Sequence, residues 1–279
     1  MNNLTDLLIV LTRVAGFGDI MHTAMVTRVL RNAGYNAVFK CPEWLEPHKL
    51  FCPDLSIPAH KHTQVLNLVC NYEFLYKTNP EWCIIEAGVR DTLRRIIPKE
   101  DYDKEAARID YSKCFPIINY PTKSVKKTND VLIISKCGGY SNVREYPHFN
   151  ELKTSLKKNN ISYIDANEQR LANYALLDAL NDSKLFIGLE TGPTMFLSQF
   201  LTRENSIVLS SGFVSFNYWG KYYNVDVVER SLPCAPCFIK DVKDCKYSHE
   251  CMVEILPEFI LDKIKTKLNA FDLRDDAKH

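Results

Sequence analysis

Leu185-Phe186-Ile187-Gly188-Leu189-Glu190-Thr191-Gly192-Pro193-Thr194 reads as strand, turn and helix in direct succession. The apolar run suits a strand buried on both faces, as in a parallel sheet. Pro193 suits a first helical position, where its missing N–H costs nothing. The N–H groups and dipole at such a helix start favour a phosphate, so Glu190, Thr191, Gly192 and Thr194 are candidate nucleotide-binding residues. The Glu190 carboxylate repels phosphates and suits ribose hydroxyls instead. The plainer alternative is a helix cap beside a surface glutamate.

The same alternation extends both ways. Residues 7–11 read as a first strand, 19–32 as a helix that Gly34 stops, and 36–40 as a second strand. Residues 41–77 carry four prolines and resist assignment, apart from a strand-like stretch at 65–69. A helix is expected from Pro80 to Ile97, ended by Pro98. Residues 121–130 are polar, basic and free of large hydrophobes, and make the best candidate linker. Beyond it come strand 131–135, helix 147–158, strand 161–164, helix 168–180, strand 185–187 and strand 206–209. A last helix begins at Pro257, with Phe259, Ile260, Ile264 and Leu268 on one face. The expectation is an α/β protein of two Rossmann-like lobes facing a central cleft. The domains would be residues 1–125 and 130–256, followed by a C-terminal helix and tail at 257–279.

Bulk properties bound the function. The chain has 279 residues, 46% hydrophobic and 25% charged, which suits ordinary globular cores. A formal net charge of +1 argues against a protein held to nucleic acid by overall charge. A local basic group at Arg90, Arg94, Arg95, Lys123, Lys126 and Lys127 leaves a nucleic acid acceptor open but less favoured. No segment approaches the roughly 20 apolar residues of a transmembrane helix. No basic residue precedes the short run at 7–11, so a cytoplasmic location is expected.

Gly16-Phe17-Gly18-Asp19 lies between the first strand and the first helix. The two glycines permit positive φ and close approach of the backbone to a ligand. Asp19 suits either an N-cap or a general base that takes the proton of an attacking hydroxyl. Met21 stands where a dinucleotide fingerprint needs its third glycine, which argues against hydride transfer. Ser135-Lys136-Cys137-Gly138-Gly139-Tyr140 follows another strand and reads as a second backbone cradle, with Ser135 and Gly138 its candidate binding residues. Arg144, shortly after, is either a solvated surface cation or a group that neutralises a departing diphosphate.

Of ten cysteines, four cluster as Cys234, Cys237, Cys245 and Cys251. They suit a structural zinc site, with His249 a substitute ligand, or a reduced packing cluster.

Four blocks together resemble glycosyltransferase family 9, the lipopolysaccharide heptosyltransferases and their relatives. They are Arg13-Val14-Ala15-Gly16-Phe17-Gly18-Asp19, Arg144-Glu145-Tyr146-Pro147, Glu190-Thr191-Gly192-Pro193-Thr194 and the cysteine-rich stretch before the last helix. The resemblance implies a GT-B fold and inverting, metal-independent transfer from a nucleotide-diphosphate sugar to a hydroxyl acceptor such as a glycan. It matches Asp19 to the base, Arg144 to the phosphate-binding cation and Glu190-Thr191-Gly192 to the nucleotide loop. Met195 stands where the family usually has histidine, so ADP-heptose is not carried over as the donor. The other readings are a phage-type enzyme acting on a modified DNA base and a non-catalytic zinc-stabilised binding module.

Overall fold

The structure is a computed structural model that describes residues 7–12, 16–58, 66–67, 77, 79–121, 127–139 and 141–276. It divides into two compact units. Unit one comprises Met1–Tyr120 and Asn217–Tyr222; unit two comprises Pro121–Phe216 and Tyr223–His279. The division falls at 120/121, beside the candidate linker, and a short strap from the later chain groups with unit one.

Unit one holds a parallel sheet in the order β3-β2-β1-β4. Its strands are β1 (Ile9–Thr12), β2 (Ala37–Cys41), β3 (Ser56–Pro58) and β4 (Leu66–Asn67). Only residues 66 and 67 of the expected strand at 65–69 lie among the described residues. Helix α1 (Phe17–Asn32) follows β1 and is buried almost throughout. Its buried threonines are satisfied locally: Thr23 donates to the Asp19 carbonyl at 2.9 Å and Thr27 to the Thr23 carbonyl at 2.8 Å. Gly34, at φ +94°, stops α1 in the left-handed conformation that glycine adopts freely.

Helix α2 (Ile84–Ile96) begins after Cys83, not at Pro80. The Glu86 carboxylate captures the Cys83 N–H at 2.8 Å and so caps the helix there, while residues 79–82 form a turn. Helix α3 (Lys99–Arg108), which the sequence pattern did not mark, follows Pro98 directly. Close packing of α1 on α2 depends on Gly88, where an added Cβ would lie 2.7 Å from Val26 Cγ2. The strap contains all but the first residue of helix α7 (Phe216–Gly220). It is held by Glu86, which accepts from Lys221 Nζ at 2.8 Å and from the Tyr222 hydroxyl.

Unit two holds a parallel sheet in the order β6-β5-β7-β8-β9. Its strands are β5 (Asn129–Ile133), β6 (Tyr163–Asp165), β7 (Ser183–Leu189), β8 (Ser206–Ser210) and β9 (Val227–Glu229). Helix α4 (Phe149–Lys158) follows β5, α5 (Asn173–Asn181) follows β6, and α6 (Gly192–Leu197) follows β7. On one face, Val131, Ile133, Leu185, Ile187, Ile207 and Leu209 pack against Phe149, Leu152 and Leu156 of α4. The short helix α8 (Glu250–Val253) and the last helix α9 (Pro257–Asp276) complete this core through Met252, Ile260, Ile264 and Leu268. The last helix is therefore part of unit two, and Phe259, expected on its apolar face, is 52% exposed.

Burial of β7 on both faces leaves no room at Gly188. A Cβ there would lie 2.4 Å from Phe186 Cζ and 2.9 Å from Thr194 Oγ1. Gly188→Ala should therefore destabilise the protein by about 1–3 kcal/mol, read as a lowered midpoint of urea unfolding. An unchanged midpoint would show that the Phe186 ring yields without strain.

Candidate functional site

The strand order in unit two reverses direction at β5. The chain lays β6 on one side of β5 and then β7 on the other. Parallel α/β sheets bind ligands at such a switch point, outside the carboxyl ends of the two strands. The loops that leave β5 and β7 there are residues 134–139 and 190–191. These are the two loops that sequence reasoning assigned to the nucleotide. Unit one has the same kind of reversal at β1, between β2 and β4, and the loop that leaves β1 leads to Asp19.

In unit two, the loop after β5 is clamped from the next strand. The Asn167 side chain accepts the Ser135 N–H at 2.8 Å and the Lys136 N–H at 3.0 Å. An added Cβ at Gly138 or Gly139 would meet nothing within 4 Å, so neither glycine is required by packing. Tyr140 lies outside the described residues. A cavity of about 370 Å³ opens against this loop, with Ser135, Lys136, Glu145, Tyr146 and Lys153 in its wall. That volume falls within the range of small-ligand sites.

The loop after β7 is built differently from the expectation. Glu190 is 3% exposed, and its carboxyl is turned inward. It accepts hydrogen bonds from Ser211 Oγ at 2.8 Å and Ser210 Oγ at 3.0 Å. Ser210 Oγ also lies 3.1 Å from a carboxyl oxygen of Glu229. The ribose contact suggested for Glu190 thus meets a side chain already engaged by the β8 loop. Thr191 and Thr194 are buried too, and Thr194 donates to the Leu189 carbonyl at 2.6 Å. These side chains hold the loop, while Gly192 and Pro193 form its half-buried outer part.

Arg144 joins the pieces. It lies on a single 3-10 turn, Asn142–Arg144. Its guanidinium donates to the Glu190 carbonyl at 3.1 Å and to the Gly138 carbonyl at 3.4 Å. It also lies 5.5 Å from the ring centre of Phe213, which follows β8. One half-buried cation therefore touches the loops after β5, β7 and β8, which a solvated surface arginine would not do.

The cysteine-rich segment buttresses that turn. Val242 N–H donates to the Asn142 side chain, the Ser141 hydroxyl donates to the Ile239 carbonyl, and a ring nitrogen of the buried His249 lies 2.7 Å from the Val143 carbonyl. Four thiols are chemically suited to zinc or iron. Among the described residues, however, no group of three or more His, Cys, Asp or Glu side chains converges to hold a metal ion. Cys234, Cys237, Cys245 and Cys251 are free thiols. Burial pushes the Cys237 and Cys251 thiols up, and the neighbouring cysteines add to the shift.

In unit one, Gly16 is the N-cap of α1, at φ −62°, with no side-chain cap. The positive φ that glycine permits is not used there, and a Cβ would meet only Asp19 Oδ2, at an ordinary 3.7 Å. Asp19 is therefore not the N-cap. With Gly18 it lies in the first turn of α1, half-buried, where the helix dipole favours a carboxylate. Arg13, Val14 and Ala15 lie outside the described residues, as do Lys123 and Lys126. No helix among the described residues is long and apolar enough to cross a membrane.

The folds of several solved structures match this one. One is the iron-containing dodecameric glycosyltransferase TibC from enterotoxigenic E. coli H10407. It matches with a TM-score of 0.64 at 12% identity, over 94% of this chain and 76% of that one. The chain has the fold of the heptosyltransferases. E. coli ADP-heptose lps heptosyltransferase II matches with a TM-score of 0.57 at 11% identity, over 97% of this chain and 100% of that one. TibC in complex with ADP-D-beta-D-heptose matches with a TM-score of 0.62 at 11% identity, over 97% of this chain and 77% of that one. No family model matches the sequence, and no curated protein matches it at the sequence level. The fold shared with these enzymes is the GT-B-like arrangement of parallel α/β sheets.

The inward carboxyl has a measurable consequence. Burial pushes Glu190 up to about 7, against the opposing pull of the Ser211 bond, the Arg144 charge and the Ser210 bond. Its pKa is thus higher folded than unfolded, where the ordinary value is 4.5. The folded state retains the proton across that window, so stability falls as pH rises from 4.5 through about 7. The loss should approach about 3 kcal/mol. It is measured as the stability difference between wild type and Glu190→Gln in urea titrations across that range. A difference that does not vary with pH would remove Glu190 as a titrating group.

Proposed function

We propose that the chain is an inverting glycosyltransferase that moves a sugar from a nucleotide diphosphate to a hydroxyl of a glycan acceptor. One observation carries the reading: the two loops singled out for the donor leave β5 and β7 at the switch point of unit two, with Arg144 between them. The bound ADP-heptose of the TibC structure supports a sugar nucleotide as donor.

In this reading unit two holds the donor and unit one supplies the base. The nucleotide occupies the cavity beside Ser135, where Lys136 offers positive charge to its phosphates. The acceptor hydroxyl attacks the anomeric carbon as Asp19 takes its proton. The bond from that carbon to the diphosphate oxygen breaks, and the nucleotide diphosphate leaves with both electrons. Attack opposite the leaving group inverts the anomeric centre. Arg144 spends two donors on carbonyls, yet its charge stays beside the loops and opposes the negative charge that develops on the leaving group. Glu190 acts through the loop it anchors.

Two measurements test this. Titration calorimetry with ADP, UDP and GDP, and with their sugar conjugates, should find micromolar to millimolar binding of at least one nucleotide. Binding of none would remove the donor site. Asp19→Asn should lower kcat for transfer by about 100-fold or more while the nucleotide Kd stays within about twofold. Activity within about tenfold of wild type would show that another group is the base.

A further inference from the structure

Trp44 is the most exposed tryptophan that the structure describes, at 58%. Its surroundings are built, not loose. The turn after β2 is closed by the Leu45 N–H and the Glu46 N–H, which both donate to the Pro42 carbonyl, at 2.9 and 3.1 Å. Leu45, the next residue, is fully buried and pins that turn to unit one. The backbone of Trp44 is thus held while its indole stays in solvent, which forgoes the burial free energy of a large apolar side chain. Its aromatic neighbour is Phe17, with ring centres 6.3 Å apart and planes 51° apart. Phe17 opens α1 and shares its first turn with Asp19. Both rings therefore lie beyond the carboxyl ends of β1 and β2, on the edge of the unit-one sheet that carries the candidate base.

We propose that Trp44 and Phe17 form the acceptor subsite and that the acceptor presents an uncharged pyranose there, stacked on the indole. This rests on the glycosyltransferase reading and adds the acceptor's chemistry to it. A pyranose has one face of C–H groups and a rim of hydroxyls. The C–H face matches the negative face of an indole ring. The rim needs hydrogen-bond acceptors, and Asp19 and the exposed Glu43 are carboxylates placed on this edge. A nucleobase would stack on the same ring, but a nucleic acid brings phosphates. Glu43 and Glu46 flank Trp44, and no lysine or arginine lies between Lys40 and Lys49. That charge pattern opposes a phosphate chain and tolerates a neutral sugar.

The test uses the full chain labelled with 5-fluorotryptophan. The chain has three tryptophans, so three fluorine resonances are expected, and Trp44→Phe identifies the one from Trp44. The probes are methyl glycosides of glucose, galactose, mannose and a heptose, with an oligothymidylate as the competing chemistry and ADP as the donor-side control. At least one glycoside should shift the Trp44 resonance saturably, while the oligonucleotide leaves it unmoved. Trp44→Ala should raise the Kd of that glycoside by about tenfold, and Trp44→Phe by only about threefold. ADP binding should be the same in all three proteins, and melting curves should match because residue 44 is exposed. The proposal falls if no glycoside moves the Trp44 resonance up to tens of millimolar. It falls equally if Trp44→Ala binds the glycoside as well as wild type, or if the oligonucleotide moves the resonance. Nucleotide binding without any glycoside response would sink this proposal alone; absence of nucleotide binding would sink the function it rests on.

Discussion

The site in unit two depends on the inward carboxyl of Glu190. A carboxyl placed in a low-dielectric interior must be hydrogen-bonded, neutralised or both. Here Ser210, at the end of β8, and Ser211, just after it, supply the bonds, and burial favours the neutral form. The Ser210 hydroxyl has one proton and lies between two carboxyls, so it can donate to only one of them at a time. A protonated Glu190 resolves that conflict by donating to Ser210 while Ser210 donates to Glu229. The backbone carbonyl of the same residue receives Arg144. Side chain and main chain of one residue thus join the ends of β7 and β8 to the cation that also reaches the β5 loop.

Much of the fold was legible because parallel strands are buried on both faces and read as unbroken apolar runs. Strands β5, β7 and β8 are of this kind, and each lies where its run of Val, Leu and Ile falls. Helix starts were less legible. Asn79-Pro80 carries the familiar signature, yet α2 starts at Ile84 because Glu86 caps Cys83, a choice between two local signals that only packing decides. Helix α3 is mostly charged, with Tyr102 and Ala106 as its only buried residues, so its apolar stripe was too thin to stand out.

The loops of the candidate site were found from glycine, proline and their neighbours, because those residues mark where strands end. Their internal wiring was not. Ser210, Ser211 and Asn167 lie 20 to 32 positions from the groups they bind, and nothing local distinguishes them from surface polar residues. Arg144 was singled out for charge, whereas its hydrogen bonds to two carbonyls show a second duty in holding loops together. Cysteine spacing suggested a ligand set, and the four thiols do lie near enough to interact electrostatically. The segment's clearest contacts are with the turn that carries Arg144.

The strap at 217–222 bears on how the protein is made. A chain emerging from the ribosome completes the sheet of unit one long before residue 221 is synthesised. Until then Glu86, which is 8% exposed in the finished protein, has the Cys83 N–H and the nearby Arg90 charge but lacks its lysine and tyrosine partners. The N-terminal unit therefore carries this carboxylate without its Lys221 and Tyr222 partners through most of translation. It reaches its final stability only after β5, β6, β7 and β8 have emerged, which makes the maturation of one unit wait on the synthesis of the other.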